Sequence, residues 1–148
     1  MTLTTPSSSH RRVLIVGCGY LGERAARRWL TDGAEVWTVT RSPQRAEEWR
    51  RQGFHPVVAD LLKPVQWPDL PEFDMMLYAV GFDRTSGATK REVYVNGLEP
   101  LLAVLSPRVR RWVYVSSTSV YGQSAGEWVD ESSPCEPQEE NGRICLDA

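Results

Sequence analysis

The stretch Gly17-Cys18-Gly19-Tyr20-Leu21-Gly22 sets three glycines within six residues, directly behind the apolar run Val13-Leu14-Ile15-Val16 and directly ahead of an arginine-rich segment. A glycine held in a structure gives up more backbone freedom than any other residue, so such a cluster needs something only glycine permits. The four aliphatic residues before it read as a parallel strand buried on both faces. After it, Leu21, Ala25, Ala26, Trp29 and Leu30 recur at helical spacing, Arg24, Arg27 and Arg28 take the other side, and Asp32-Gly33 ends the helix. In a strand, G-x-G-x-x-G turn and helix, the first glycine makes the tight turn. The second lets a pyrophosphate reach the backbone, and the third lets helix and strand pack closely. The helix start adds unpaired N–H groups and partial positive charge. The expectation is a dinucleotide held by Gly17, Gly19, Tyr20, Leu21 and Gly22.

The rest of the chain repeats the strand–helix alternation. Glu35–Thr40 is β-branched and reads as a second strand, after which Ser42 caps a short helix with Pro43 at its first position and Gly53 closes it. Pro56–Asp60 is a third short strand, and residues 61–73, with Pro64, Pro68 and Pro71, form a loop or a broken turn of helix. Residues 75–81 give a fourth strand, residues 90–105 a helix kinked at Pro100, and residues 112–117 a fifth strand. His55 falls at a loop or strand edge. Strands separated by helices imply βαβ units with right-handed crossovers. The fold class is α/β: a Rossmann-like, doubly wound parallel sheet in three αβα layers, incomplete at its C-terminal side. Residues 11–148 form the NAD(P)-binding domain, and residues 1–10, mostly polar and without the apolar centre of a secretory signal, form a disordered arm.

Composition removes several functions. A net charge of −2 gives no electrostatic footprint for nucleic acid. The longest apolar runs fall well short of the roughly 20 residues of a membrane span, so no membrane partner is expected. Three cysteines without a C-x-x-C read as reduced thiols, and the chain as cytoplasmic. The two histidines have no neighbours at metal-ligand spacing, so no metal site is expected.

The end of the second strand should select the dinucleotide. An NAD site carries an acid about 20 residues after the glycines, to hydrogen-bond the ribose hydroxyls. This chain offers Thr40-Arg41-Ser42 and no acid. A guanidinium beside a hydroxyl and a helix start suits a 2′-phosphate, so NADP is expected, with NAD as the alternative.

The order of motifs resembles the NAD(P)-dependent epimerase/dehydratase family, within the short-chain dehydrogenase/reductases of extended and atypical type. The motifs are GCGYLG at 17–22, Asp60-Leu61, Tyr78-Ala79-Val80-Gly81, Tyr94-Val95-Asn96-Gly97, WVYVSSTSVYG at 112–122 and GEWVDESSPCEP at 126–137. The resemblance implies that Asp60 and Leu61 contact the adenine and that Ala79, Val80 and Gly81 line the cofactor beside the ribose. It places Ser116 near the nicotinamide, and Ser117 at the position of the family's catalytic Ser or Thr.

Two departures accompany the likeness. The family's Tyr-x-x-x-Lys aligns with Asn141 and Cys145, so the Tyr acid/base and the Lys that tunes it are both replaced. An amide cannot deliver a proton near neutral pH, and such help is worth roughly 10²–10⁴-fold in rate. Tyr121 belongs to the SVYG turn, where turn packing is its expected role. The chain also halts where the family's next helix starts, so it reads as the N-terminal part of a longer protein whose substrate domain is elsewhere. The implied function is the cofactor half of an oxidoreductase, epimerase or dehydratase acting on a small carbonyl or sugar-nucleotide substrate. The alternative is a non-catalytic NADP(H)-binding, redox-sensing module. The incomplete sheet would leave an edge strand able to pair with a second copy as a homo-oligomer.

Overall fold

The computed structural model describes residues 11–63 and 67–148. The arm expected at residues 1–10, and Pro64 of the proline-rich loop, lie outside the described residues. The elements run β1 (Arg12–Val16), α1 (Tyr20–Thr31), β2 (Glu35–Thr40), α2 (Pro43–Arg51), β3 (His55–Val58) and β4 (Met75–Tyr78), then a π-helical turn (Glu92–Asn96), α3 (Leu98–Leu105), β5 (Trp112–Tyr114), a 3₁₀ turn (Thr118–Val120) and α4 (Glu140–Asp147).

All five strands pair in parallel in the order β3-β2-β1-β4-β5, with the chain reversing its direction of winding between β3 and β4. Leu14 and Val16 of β1 point into one layer with Met76, Tyr78 and the α3 residues Leu98, Leu101 and Leu105. Val13 and Ile15 point into the other, with Ala26 of α1 and Trp49 of α2. The central strand is thus buried on both faces, as its unbroken aliphatic run requires. This is a Rossmann-like three-layer α/β fold, with its ligand crevice at the C-terminal ends of the strands on either side of β1.

Local signals place most element ends. Ser42 Oγ accepts from the Arg45 N–H at 3.2 Å, with Pro43 in the first turn of α2. Gly33 (φ +82°) and Gly53 (φ +90°) follow α1 and α2 in the left-handed conformation. His55 opens β3 at the sheet edge, and its ring stacks on Trp37 at 5.1 Å.

Three expectations are corrected. The kink expected at Pro100 lies before it: the Gly97 N–H reaches the Glu92 carbonyl at 2.8 Å in the π turn, and α3 restarts with Pro100 in its first turn. The reason is that proline has no N–H to offer the Asn96 carbonyl, and its ring crowds that position. Leu21, expected on the buried face of α1, is 49% exposed. Gly22 and Ala26 hold that face, because only small residues let the helix approach the sheet here. Finally, β3, β4 and β5 stop earlier than read, leaving Asp60, Ala79 to Gly81 and Ser116 to Ser117 in the loops beyond their ends.

Candidate functional site: a cleft at the glycine turn

The three glycines do different work. Gly17 has φ +87°, and a Cβ there would run into the Val80 N and the Ala79 carbonyl, so both its conformation and its packing demand glycine. A Cβ on Gly22 would strike the Gly17 carbonyl oxygen and come within 3.2 Å of Ile15 Cγ2, so this glycine seats α1 against β1. Gly19 is different. Its φ is −86°, and a Cβ there would meet no atom of the described residues within 4 Å. It caps α1 with no side-chain hydrogen bond and faces an open cleft of about 850 Å³.

That cleft gathers the ends of four strands. Val16, Gly17, Gly19 and Tyr20 come from the β1 turn, Thr40, Arg41 and Ser42 from the β2 exit, Asp60 and Leu61 from beyond β3, and Ala79, Val80 and Gly81 from beyond β4. Eleven residues singled out from the sequence (Gly17, Gly19, Tyr20, Thr40, Arg41, Ser42, Asp60, Leu61, Ala79, Val80, Gly81) therefore line a single cavity. Gly22 lies beneath it and Leu21 points to solvent. Such a crevice at the switch in strand order is the fold's ordinary place for a ligand.

The cleft also holds residues the sequence reading passed over: Cys18, Arg45, Trp49, Phe82, Asp83, Ser86 and Val93. Arg45 was within reach of that reading, since it stands three residues after the Ser42 cap, where the first turn of α2 faces back to the β2 exit. Its guanidinium lies over the Trp49 ring at 5.0 Å and 3.4 Å from Glu23 Oε2. Asp83 had no local signal, because only the folded sheet brings the β4 loop opposite Arg41, at 3.6 Å.

Charges in the cleft are set by these contacts. Hydrogen bonds from Thr85, side chain first and backbone second, hold the Asp83 carboxyl below its ordinary value, with Arg41 adding to them. The hydrogen bond from Arg27 does the same for Glu23. Burial pushes the Cys18 thiol up to about 11, so it faces the cleft as a neutral group near pH 7. The Asp60 carboxylate turns to its own loop, accepting from the Leu62 N–H at 3.2 Å with Lys63 Nζ at 3.5 Å.

The second group of candidates is assembled differently. Ser116 and Ser117 are exposed and do not line the cleft. Ser117 Oγ accepts from the Ser119 N–H at 3.2 Å and lies 3.0 Å from Ser119 Oγ, capping the 3₁₀ turn. On α4, Asn141 faces solvent and Cys145 is buried. Gly142 seats α4 on the 3₁₀ turn, because a Cβ there would strike the Ser119 carbonyl oxygen. Burial raises the Tyr78 and Tyr114 phenols above their ordinary values, so each holds its proton firmly. Tyr121 donates its hydroxyl to the Asp130 carbonyl at 3.0 Å, tying the 3₁₀ turn to the following loop. Among the described residues, no group of three or more His, Cys, Asp or Glu could hold a metal ion, and no helix is long and apolar enough to cross a membrane.

Comparison with known proteins agrees with this architecture. The chain is similar to Protein YeeZ of Escherichia coli K12, at 29% identity over 141 residues, covering 90% of this chain and 50% of that protein. It therefore spans about half the length of that curated relative. A conserved protein of unknown function from Silicibacter pomeroyi superposes with a TM-score of 0.68 at 27% identity, over 93% of this chain and 46% of the other. A UDP-galactose 4-epimerase superposes with a TM-score of 0.72 at 22% identity, over 92% and 48%. A Shigella flexneri protein classed with the short chain dehydrogenases, solved with NADP, gives 0.66 at 14% identity, over 93% and 66%. Residues 13–142 match the NAD dependent epimerase/dehydratase family, and the chain belongs to that family.

Proposed function

We propose that the cleft at the glycine turn binds a nicotinamide dinucleotide, NADP in preference to NAD, and that the chain is the cofactor half of an epimerase/dehydratase-like oxidoreductase. Gly19 carries this reading. Gly17 and Gly22 are explained by protein contacts, whereas at Gly19, an N-cap residue with φ −86° and ψ −147°, no described protein neighbour within 4 Å of a Cβ asks for glycine. A ligand lying against the backbone is what would ask for it. The start of α1 then offers its N–H groups to the pyrophosphate, while Ala79, Val80 and Gly81 flank the adenosine ribose and Asp60 and Leu61 flank the adenine. Thr40, Arg41 and Ser42 would take a 2′-phosphate; what supports this is that they line the cleft at the β2 exit, with Arg45 as a second cation of the same lining.

The bound dinucleotide would supply hydride chemistry toward a small carbonyl or sugar-nucleotide substrate. What this chain adds is orientation. Ser117 would give a hydroxyl to a substrate oxygen once released from Ser119. The non-catalytic, redox-sensing reading is favoured by a specific observation: the places of the family's Tyr and Lys hold an exposed amide, Asn141, and a buried thiol, Cys145. The amide cannot deliver a proton near neutral pH, and the ammonium that would tune a Tyr is absent from position 145. Calorimetric titration with NADPH and with NADH tests the binding. Binding of NADPH at least tenfold tighter than NADH is expected; binding of neither overturns the proposal. Consumption of NADPH with a panel of carbonyl compounds separates the oxidoreductase from the sensor.

A further inference from the structure

Arg41, on which the preference for NADP rests, already has a partner across the cleft. It follows β2, while Asp83 sits in the loop after β4, so the pair joins the strand ends on either side of β1 and its glycine turn. Arg41 Nη2 lies 3.6 Å from Asp83 Oδ2, and both side chains line the cavity. The carboxylate is turned deliberately toward the cleft: Oδ1 accepts from the Thr85 N–H at 2.9 Å and from the Thr85 hydroxyl at 2.6 Å, which leaves Oδ2 for Arg41. Ser86, which also lines the cleft, donates its hydroxyl to the Asp83 carbonyl at 2.7 Å and stiffens the same loop.

We propose that Asp83 is a specificity-determining residue, which restrains selection of a 2′-phosphate by holding Arg41 in an ion pair that the phosphate must break. The inference rests on the dinucleotide reading above and goes beyond it. A 2′-phosphate approaching Arg41 competes with the carboxylate for the guanidinium and is repelled by it at close range. A ligand with a free 2′-hydroxyl meets no such opposition, because a carboxylate accepts a hydrogen bond from a hydroxyl. Asp83 thereby returns to the cleft, from the β4 side, the acid that the end of β2 lacks. The pair is half-exposed and screened, so its influence is graded: the chain discriminates between the two dinucleotides less sharply than Arg41 alone would make it.

The test is Asp83→Asn in the full chain, titrated with NADPH and with NADH beside the wild type. Asparagine keeps an oxygen for Thr85, so the loop is retained and the melting temperature should not move. NADPH affinity is expected to rise about three- to tenfold while NADH affinity stays the same or falls, a change in ratio that loosening of the loop would not produce. In an Arg41→Gln background the same substitution should lose its effect on the ratio. A wild type that binds neither dinucleotide overturns the reading of the cleft and this inference with it. A wild type that binds NADPH, with a ratio unchanged or lowered in Asp83→Asn, overturns the role of Asp83 alone.

Discussion

The two regions that hold the candidate residues are built on opposite plans. At the glycine turn, residues from four strand exits converge on one open cleft, and the backbone is shaped so that something outside the protein fits against it. At the 3₁₀ turn and α4, the contacts stay within the protein: Ser117 caps onto Ser119, the bare Gly142 backbone packs on the Ser119 carbonyl, Tyr121 donates to the Asp130 carbonyl, and Cys145 is buried. The first region is an open cleft, and the second is tied together by contacts within the protein. On the dinucleotide reading, binding and chemistry would be separable: the cleft belongs to the sheet's switch point, while the proposed reacting end depends on side chains of which two, Asn141 and Cys145, depart from the family's pattern.

Substitutions at the glycines probe that contrast most strongly. Gly17→Ala should destabilise the fold by roughly 3 kcal/mol or more, because it adds a strained φ to a contact with the β4 backbone. Gly22→Ala should cost about 1–3 kcal/mol through the forced separation of α1 from β1. Both are read as losses in denaturant midpoint. An unchanged midpoint in Gly17→Ala would mean that the turn is not packed against β4.

Arg41→Gln should come next, with no change in stability. Loss of a charge-assisted contact lowers NADPH affinity roughly ten- to hundredfold and leaves NADH nearly unaffected. An equal loss for both dinucleotides would place Arg41 outside the selecting role.

The smallest effect concerns Cys18. Its thiol is raised from 9.0 to about 11, so the folded state holds this proton more tightly than the unfolded chain does. The associated stability is complete below pH 9 and is withdrawn as the pH climbs toward 11. Cys18→Ala should remove that part of the alkaline decline, measured by denaturation across pH 8–11. Alkylation near pH 8 should likewise reach exposed Cys135 well before buried Cys18 or Cys145.

Much of this architecture was legible because it is written locally. The aliphatic run of β1, the Ser42-Pro43 start of α2 and the glycines after α1 and α2 each act over a few residues, and each is in place. The eleven cleft-lining candidates were legible for the same reason, since the exits of parallel strands share one edge of the sheet. Asp83 escaped because its relevance depends on which loops face one another, whereas Arg45, three residues after the Ser42 cap, carried a local signal that went unused. Leu21 was misread because amphipathic spacing marks an apolar stripe without telling which part of it meets the sheet, and Gly22 took the contact. The π turn ahead of α3 arises from a carbonyl left without its donor by Pro100, an effect displaced from the residue that causes it.

The most direct measurement is a titration of Gly19→Val with NADPH beside the wild type, with thermal unfolding of both. A Cβ at Gly19 meets no described atom of the protein within 4 Å, so stability should fall only by the roughly 1 kcal/mol that valine costs at a helix N-cap, while NADPH binding is lost. Full binding by Gly19→Val would contradict a dinucleotide lying against that backbone.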